Sequence, residues 1–183
     1  MEPLEDDLRL AEALLFAAAE PVGPRLVLEA ISGDTPPDLV MRALQARWAG
    51  RAVELVEVAG GWQFRTASDV AERLRRVVPQ PRRLPRAAME TLAVIAYHQP
   101  CTRAEIEELR GASLGQHTLD TLLEAELVAP AGRRDVPGRP VLWTTTAQFL
   151  AHFGLRGLSD LPRREDLLTE PQAVPSRDAP RDG

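Results

Sequence analysis

The sequence predicts a mainly helical α+β protein made of two tandem winged helix-turn-helix domains. Three observations lead there. Of the 183 residues 44% are hydrophobic but only 4% aromatic, so the cores must be built from Leu, Val, Ile and Ala, a mixture suited to helices packed on small sheets. Apolar residues recur at helical spacing through three short segments, switch to a period of two, and then return to helical spacing. The same order then occurs a second time, displaced by 79 residues.

In the first unit, Leu8, Ala11, Leu15 and Ala18 mark an amphipathic helix over 8–20, which Pro21 ends. A short second helix spans 24–31, with Pro24 in the first turn, where a missing N–H is harmless, and Gly33 as its stop. Thr35 is expected to cap a third helix over 36–48 that closes at Gly50. Val53 to Val58 then alternates as a strand, Gly60-Gly61 turns the chain, and Trp62 to Thr66 forms the return strand. Ser68 is expected to cap a closing helix through Val70, Leu74 and Val77, ended by Pro79.

The stretch 79–86 is dense in Pro and Arg without apolar period and reads as a linker, so the first domain covers 1–78 and the second 87–160. The 79-residue shift lays Pro21 on Pro100, Val27 on Ile106, Phe64 on Trp143, Thr66 on Thr145, Val70 on Phe149 and Leu74 on Phe153. Helices are expected over 86–98, 103–109 and 115–127, with a hairpin over 128–145. Thr102 and Glu105 have capping-box spacing at the second of these. Residues 161–183 turn to Pro, Arg, Asp and Glu and are expected to form a disordered tail.

Composition and motifs exclude several function classes. All 22 basic residues are Arg; against 27 acids the net charge is −5 and the pI about 5.3, so no global attraction to nucleic acid is expected. The acidic N-terminus and the short apolar run Leu10–Ala19, broken by Glu12, fit neither a secretory leader nor a membrane span; the protein is expected to be cytoplasmic. Cys101 is the sole cysteine and has no partner for a disulfide or a zinc site. No phosphate loop, nucleophile constellation or metal spacing is legible, so no enzyme activity, metal or cofactor is expected.

Helix-turn-helix order raises the rival reading of a DNA-binding transcriptional regulator. From Arg103 to Leu127, however, two arginines face six acids, a surface that repels phosphates. In the first unit, Arg42 and Arg47 on the third helix could face a duplex, and Arg75, Arg76, Arg82 and Arg83 could make weak, non-specific DNA contact. The tip of the second hairpin, Gly132 to Pro140, combines turn-permitting glycines with stiffening prolines, so its shape is held. Its three arginines could reach a partner's carboxylates or fold back onto the acidic helices of their own unit.

The runs ETLAVIAYHQPCTRAEIEELRG (90–111), GRRDVPGRPVLWTTTAQFLAHFGL (132–155) and LSDLP (158–162) resemble the signature segments of the segregation and condensation protein B family. Upstream, EALLFAAAEPV (12–22) and VELVEVAGGWQFRT (53–66) resemble the family's first domain, so the likeness covers nearly all of the expected ordered chain; its hairpin motif is highly specific. Segment 112–120 and Pro130 depart from the commoner pattern. The resemblance implies two winged-helix domains, homodimerisation through the first, and binding of a kleisin, segregation and condensation protein A, largely through the second. Through the kleisin it implies association with the SMC ATPase and the nucleoid, without hydrolysis by this chain.

On that footing the kleisin contacts expected are Tyr97, Gln99, Pro100 and Arg103 at the helix junction, with Arg133, Arg134, Pro137, Gly138, Arg139 and Pro140 on the wing. Leu14, Leu15 and Phe16 are the candidates for the dimer, although core packing competes for each of them.

Overall fold

A computed structural model describes residues 4–31, 35–78 and 83–163; about half of these are helical, giving a mixed α/β chain. The first half runs α1 (Glu5–Ala17), α2 (Pro24–Ala30), α3 (Pro37–Trp48), β1 (Val53–Val58), β2 (Gly61–Thr66) and α4 (Ser68–Leu74). The second runs α5 (Arg86–His98), β3 (Cys101–Thr102), α6 (Arg103–Arg110), α7 (Gln116–Glu124), β4 (Val128–Arg133), β5 (Val141–Thr145) and α8 (Ala147–Phe153), followed by a 3-10 turn at Leu158–Asp160.

The repeat is visible in the elements themselves. Helices α2 and α6, and α3 and α7, begin 79 residues apart, and α4 and α8 keep that spacing at both ends. Even β3 has a counterpart: Val22, the position matching Cys101, forms an isolated antiparallel bridge to Trp62 on β2. The expected order of elements is therefore present twice.

Each half buries its own apolar cluster. In the first, Ala11 and Leu15 of α1, Val27 of α2, and Val40, Met41 and Leu44 of α3 close on Leu55 and Trp62 of the hairpin. In the second, Ala88, Leu92, Ile95 and Ala96 of α5 meet Ile106, Leu119, Leu122 and Phe149. The clusters have no residue in common, and each follows from apolar residues recurring on one helix face.

Several local expectations are corrected. Helix α1 begins three residues before the expected start, at Glu5, because Glu5, Asp6 and Asp7 complement the positive end of the helix dipole. Thr35 does not cap α3: Pro36 holds the N-cap position, and the Thr35 hydroxyl donates to Asp7 Oδ2 at 2.8 Å, with both side chains buried. Ser68 is likewise the first residue inside α4 and makes no capping bond there; Ala67 precedes it at the N-cap. The first hairpin turns on Ala59-Gly60, φ +52° and +72°, and Gly61 already pairs with Val58 as the first residue of β2. Positive φ at both turn residues matches the right-handed twist of the flanking strands. Gly33 and Arg82 lie outside the described residues.

The second sheet has the order β3-β5-β4, all antiparallel, and the short strand β3 is an addition to the expected hairpin. Pro130 opposes Trp143, and the register shifts between Pro130 and Arg133, a bulge at the base of the wing. A proline without an N–H is accommodated on β4 because that strand lies at the sheet edge. The Thr102–Glu105 capping box is formed, with Glu105 Oε2 accepting the Thr102 N–H at 2.8 Å.

Candidate partner-binding site

The chain between α5 and α6 passes through a cis Gln99–Pro100 peptide into β3. Gln99 is committed internally: its Oε1 accepts the Thr145 N–H at 2.7 Å, and its Nε2 donates to Thr145 Oγ1 at 2.9 Å. It pins the junction to the end of β5. Arg103 acts the same way one turn later, donating through Nε to Glu107 Oε1 at 3.3 Å, through Nη1 to Gln116 Oε1 at 3.3 Å, and through Nη2 to the Leu114 carbonyl. Glu107 in turn accepts the Leu114 N–H at 2.9 Å, which first among its contacts holds its carboxyl below the usual range. Both residues expected at the partner surface make internal hydrogen bonds that shape the α5–α6–α7 path.

A cleft of about 300 Å³ opens beside this junction, lined by His98, Pro100, Cys101, Glu105, Glu108, Leu109 and Arg134. The wing forms one wall of it. Arg134 Nη1 donates to Glu105 Oε1 at 2.5 Å, so this arginine folds back onto α6, one of the two arrangements open to it from sequence. The Glu105 carboxyl lies below its ordinary value, first because it accepts the Thr102 N–H and further because Arg134 faces it. Burial pushes the Cys101 thiol upward, which disfavours the nucleophilic thiolate.

The wing tip is held by its own backbone. The Arg134 N–H donates to the Pro140 carbonyl at 2.9 Å, the Arg139 N–H to the Val136 carbonyl at 2.9 Å, and Arg133 Nη1 to the Arg139 carbonyl at 3.0 Å. Gly138 at φ +85° and Arg139 at φ +41° turn the chain between Pro137 and Pro140. Among the three wing arginines only the exposed Arg139 side chain makes no hydrogen bond or ion pair to the described residues. It stands beside the exposed Val136 as a rigidly presented cation.

Tyr97 is placed elsewhere. Its hydroxyl donates to the Pro162 carbonyl at 2.7 Å, and its ring lines an apolar cavity of about 250 Å³ between α5, α8 and the chain at Leu161-Pro162. Of the residues expected at one interface, Pro100 and Arg134 thus line a polar cleft under the wing and Tyr97 lines this apolar cavity. The cavity, with Met89 and Phe153 at its edge, is a feature that sequence reasoning missed, since those residues look like ordinary positions on helix faces.

On the first half, Leu15 is 2% exposed and belongs to the core, which corrects its expected role in a dimer. Leu14 packs partly against the same cluster. Phe16 is 86% exposed and edges an apolar groove with Ala13, Trp48, Val53 and Phe64. The Trp48 and Phe64 rings lie 4.8 Å apart, and Trp48 Nε1 donates to Glu12 Oε1 at 2.6 Å. Arg42, Arg75, Arg76 and Arg83 are exposed; Arg47 donates to Glu5 Oε1 at 2.8 Å in an exposed ion pair.

Among the described residues no three His, Cys, Asp or Glu side chains gather as a metal would require, and no helix is long and apolar enough to cross a membrane.

The family model of segregation and condensation complex subunit ScpB matches residues 9–164. A segregation and condensation protein B from Syntrophotalea carbinolica is 48% identical over 159 residues, 84% of this chain and 79% of that protein. Another from Symbiobacterium thermophilum is 44% identical over 173 residues, 92% of this chain and 78% of that protein. Among solved structures, ScpB from Mycobacterium tuberculosis is 30% identical, covering 84% of this chain and 99% of that one with a TM-score of 0.38. The match to the family model spans both halves, from α1 to the residue after the last described one, and with relatives this similar over most of their length the chain belongs to the ScpB family of segregation and condensation proteins.

Proposed function

We infer that the chain is a non-catalytic subunit of a bacterial condensin that binds the kleisin, segregation and condensation protein A, and through it serves the SMC ATPase in the nucleoid. The repeated element order is read as two winged helices, residues 1–78 and 87–160. The second carries the kleisin and the first joins two copies. No cofactor takes part, and DNA contact through Arg75, Arg76 and Arg83 is weak or indirect.

The observation that carries this reading is the wing: a tip locked by its own backbone presents Arg139, whose side chain makes no hydrogen bond or ion pair among the described residues, next to a cleft walled by α6. A stiff loop with a free guanidinium loses little freedom on docking and suits a carboxylate on an extended or helical partner segment. The acidic helices α6 and α7 oppose the alternative use of the same surface on phosphates.

Light scattering after size exclusion tests it, on the chain alone and mixed with the kleisin of the same organism. The expected result is a dimer that forms a stable complex, with Arg139→Glu weakening that complex about tenfold or more, roughly 1.4 kcal/mol, while leaving the dimer intact. Phe16→Glu is expected to do the reverse, giving monomers that still bind kleisin. A chain that ignores kleisin at micromolar concentration overturns the reading.

A further inference from the structure

The two apolar clusters share no residue, so whatever fixes one half of the chain against the other lies outside them. The cross-junction hydrogen bonds among the described residues converge on one place, where the first hairpin meets the end of α8. At the hairpin turn, Ala59 donates its N–H to the Leu155 carbonyl at 2.8 Å. Six residues on, Arg65 on β2 donates through Nη2 to the Ala151 carbonyl in the last turn of α8. Its Nε and Nη2 also face Gln63 Oε1 on the same strand, each at 3.4 Å, which steadies the guanidinium.

The C-terminal end of α8 is shaped to receive it. Last-turn carbonyls carry the negative end of the helix dipole, which favours a cation. Gly154 follows at φ +70°, a conformation that favours glycine, and a Cβ there would sit 3.2 Å from Arg65 Nη1, close enough to push the guanidinium by a few tenths of an ångström. The matching position in the first half is Arg75 in a right-handed conformation, so this receptor exists on α8 and not on α4. Glu57 on β1 adds a charge attraction to Arg156, which is itself held by Asp160 at 3.0 Å.

We propose that this contact is an intramolecular latch: Arg65 and the Ala59 N–H, docked on the end of α8, hold the two halves closed, and the chain opens into an extended arrangement when they release. A junction made of a few polar, partly solvated bonds contributes little net stability, and modules lacking a large apolar interface move relative to one another. Loss of the Arg65 bonds is therefore enough to free the halves. Arg65 is in this sense a positioning residue, setting the angle between the Phe16 groove on one half and the Arg139 tip on the other. Leu155, the acceptor of the Ala59 bond, also lines the apolar cavity beside α5, so the latch borders that cavity directly.

The test uses the full chain with Arg25→Cys and Glu124→Cys, both exposed, carrying nitroxide labels; Cys101, 2% exposed, stays unlabelled. Dilution with excess unlabelled chain leaves only intramolecular distances for double electron–electron resonance. The closed state predicts one narrow distance distribution, which broadens and moves to longer distances in Arg65→Ala with an unchanged circular dichroism spectrum. Gly154→Ala, which crowds the guanidinium from the other half, is expected to give a smaller shift in the same direction, and Arg65→Gln serves as the milder variant should Arg65→Ala fail to fold. A broad distribution in the unsubstituted chain, or a narrow one that survives loss of the guanidinium, overturns the latch. These distances are read without kleisin, so failure of the kleisin reading leaves them untouched.

Discussion

Arg110, at the end of α6, shows how one side chain can be held without being satisfied. Its side chain is 7% exposed, Nη2 reaches Glu90 Oε2 only at 3.4 Å, and Nε is buried without an acceptor. Glu90 depends on it little, because Arg86 Nε holds the other carboxylate oxygen at 2.8 Å and is the first cause of its lowered pKa. A buried N–H without an acceptor costs about 1–3 kcal/mol, and an apolar chain of similar length often replaces such a group without loss. Arg110→Met is expected to leave stability unchanged or raise it by up to about 1 kcal/mol in urea denaturation. A loss larger than that would show that the guanidinium is satisfied in solution. At this scale the sequence was legible where partners are local: Thr102 and Glu105, three residues apart, form the capping box their spacing predicts. The internal role of Gln99 is not legible locally, because its hydrogen-bond partner Thr145 lies 46 residues away.

At the scale of elements, the first hairpin is positioned by a close backbone approach rather than by its turn alone. The Val22 N–H donates to the Trp62 carbonyl at 2.8 Å, and the Val22 carbonyl accepts the Trp62 N–H at 2.9 Å. Immediately before Trp62, a Cβ on Gly61 would lie 2.7 Å from the Val22 carbonyl oxygen. Backbone on both sides leaves no flexible end to yield, so Gly61→Ala must displace the bridge, at a cost of about 1–3 kcal/mol. Thermal unfolding followed by tryptophan fluorescence checks this, since Trp62 sits in that bridge; a variant as stable as the parent would mean that the loop before α2 adjusts freely. The Gly60-Gly61 pair correctly signalled a hairpin. Which glycine makes the turn and which makes room was decided by Val22, far outside any local window.

For the whole molecule, two apolar clusters joined by polar contacts imply that damage to one core stays there. Leu122 is fully buried in the second cluster, and Leu122→Ala is expected to cost about 2–5 kcal/mol in that half. Amide exchange should then accelerate through α5, α6 and α7 while α1 and α3 keep their protection. Equal loss of protection in α1 and α3 would show that the halves unfold as one cooperative unit. The 79-residue repeat made this two-core plan legible, because α2 and α6, α3 and α7, and α4 and α8 each restart in register.

The order of the helices, the two hairpins, the capping box and the family are legible in the sequence, since each rests on periodicity, turn residues or motifs that are read within a few residues or as a repeat. Tertiary structure alone decided that Leu15 is core while its neighbour Phe16 is exposed, that Tyr97 and Pro100 face different cavities, and that Arg65 reaches α8. These depend on which faces meet once the chain has folded. Helical period assigns residues to a stripe, but the edge of that stripe, and every polar contact made across tens of residues, is settled only by the packing partner.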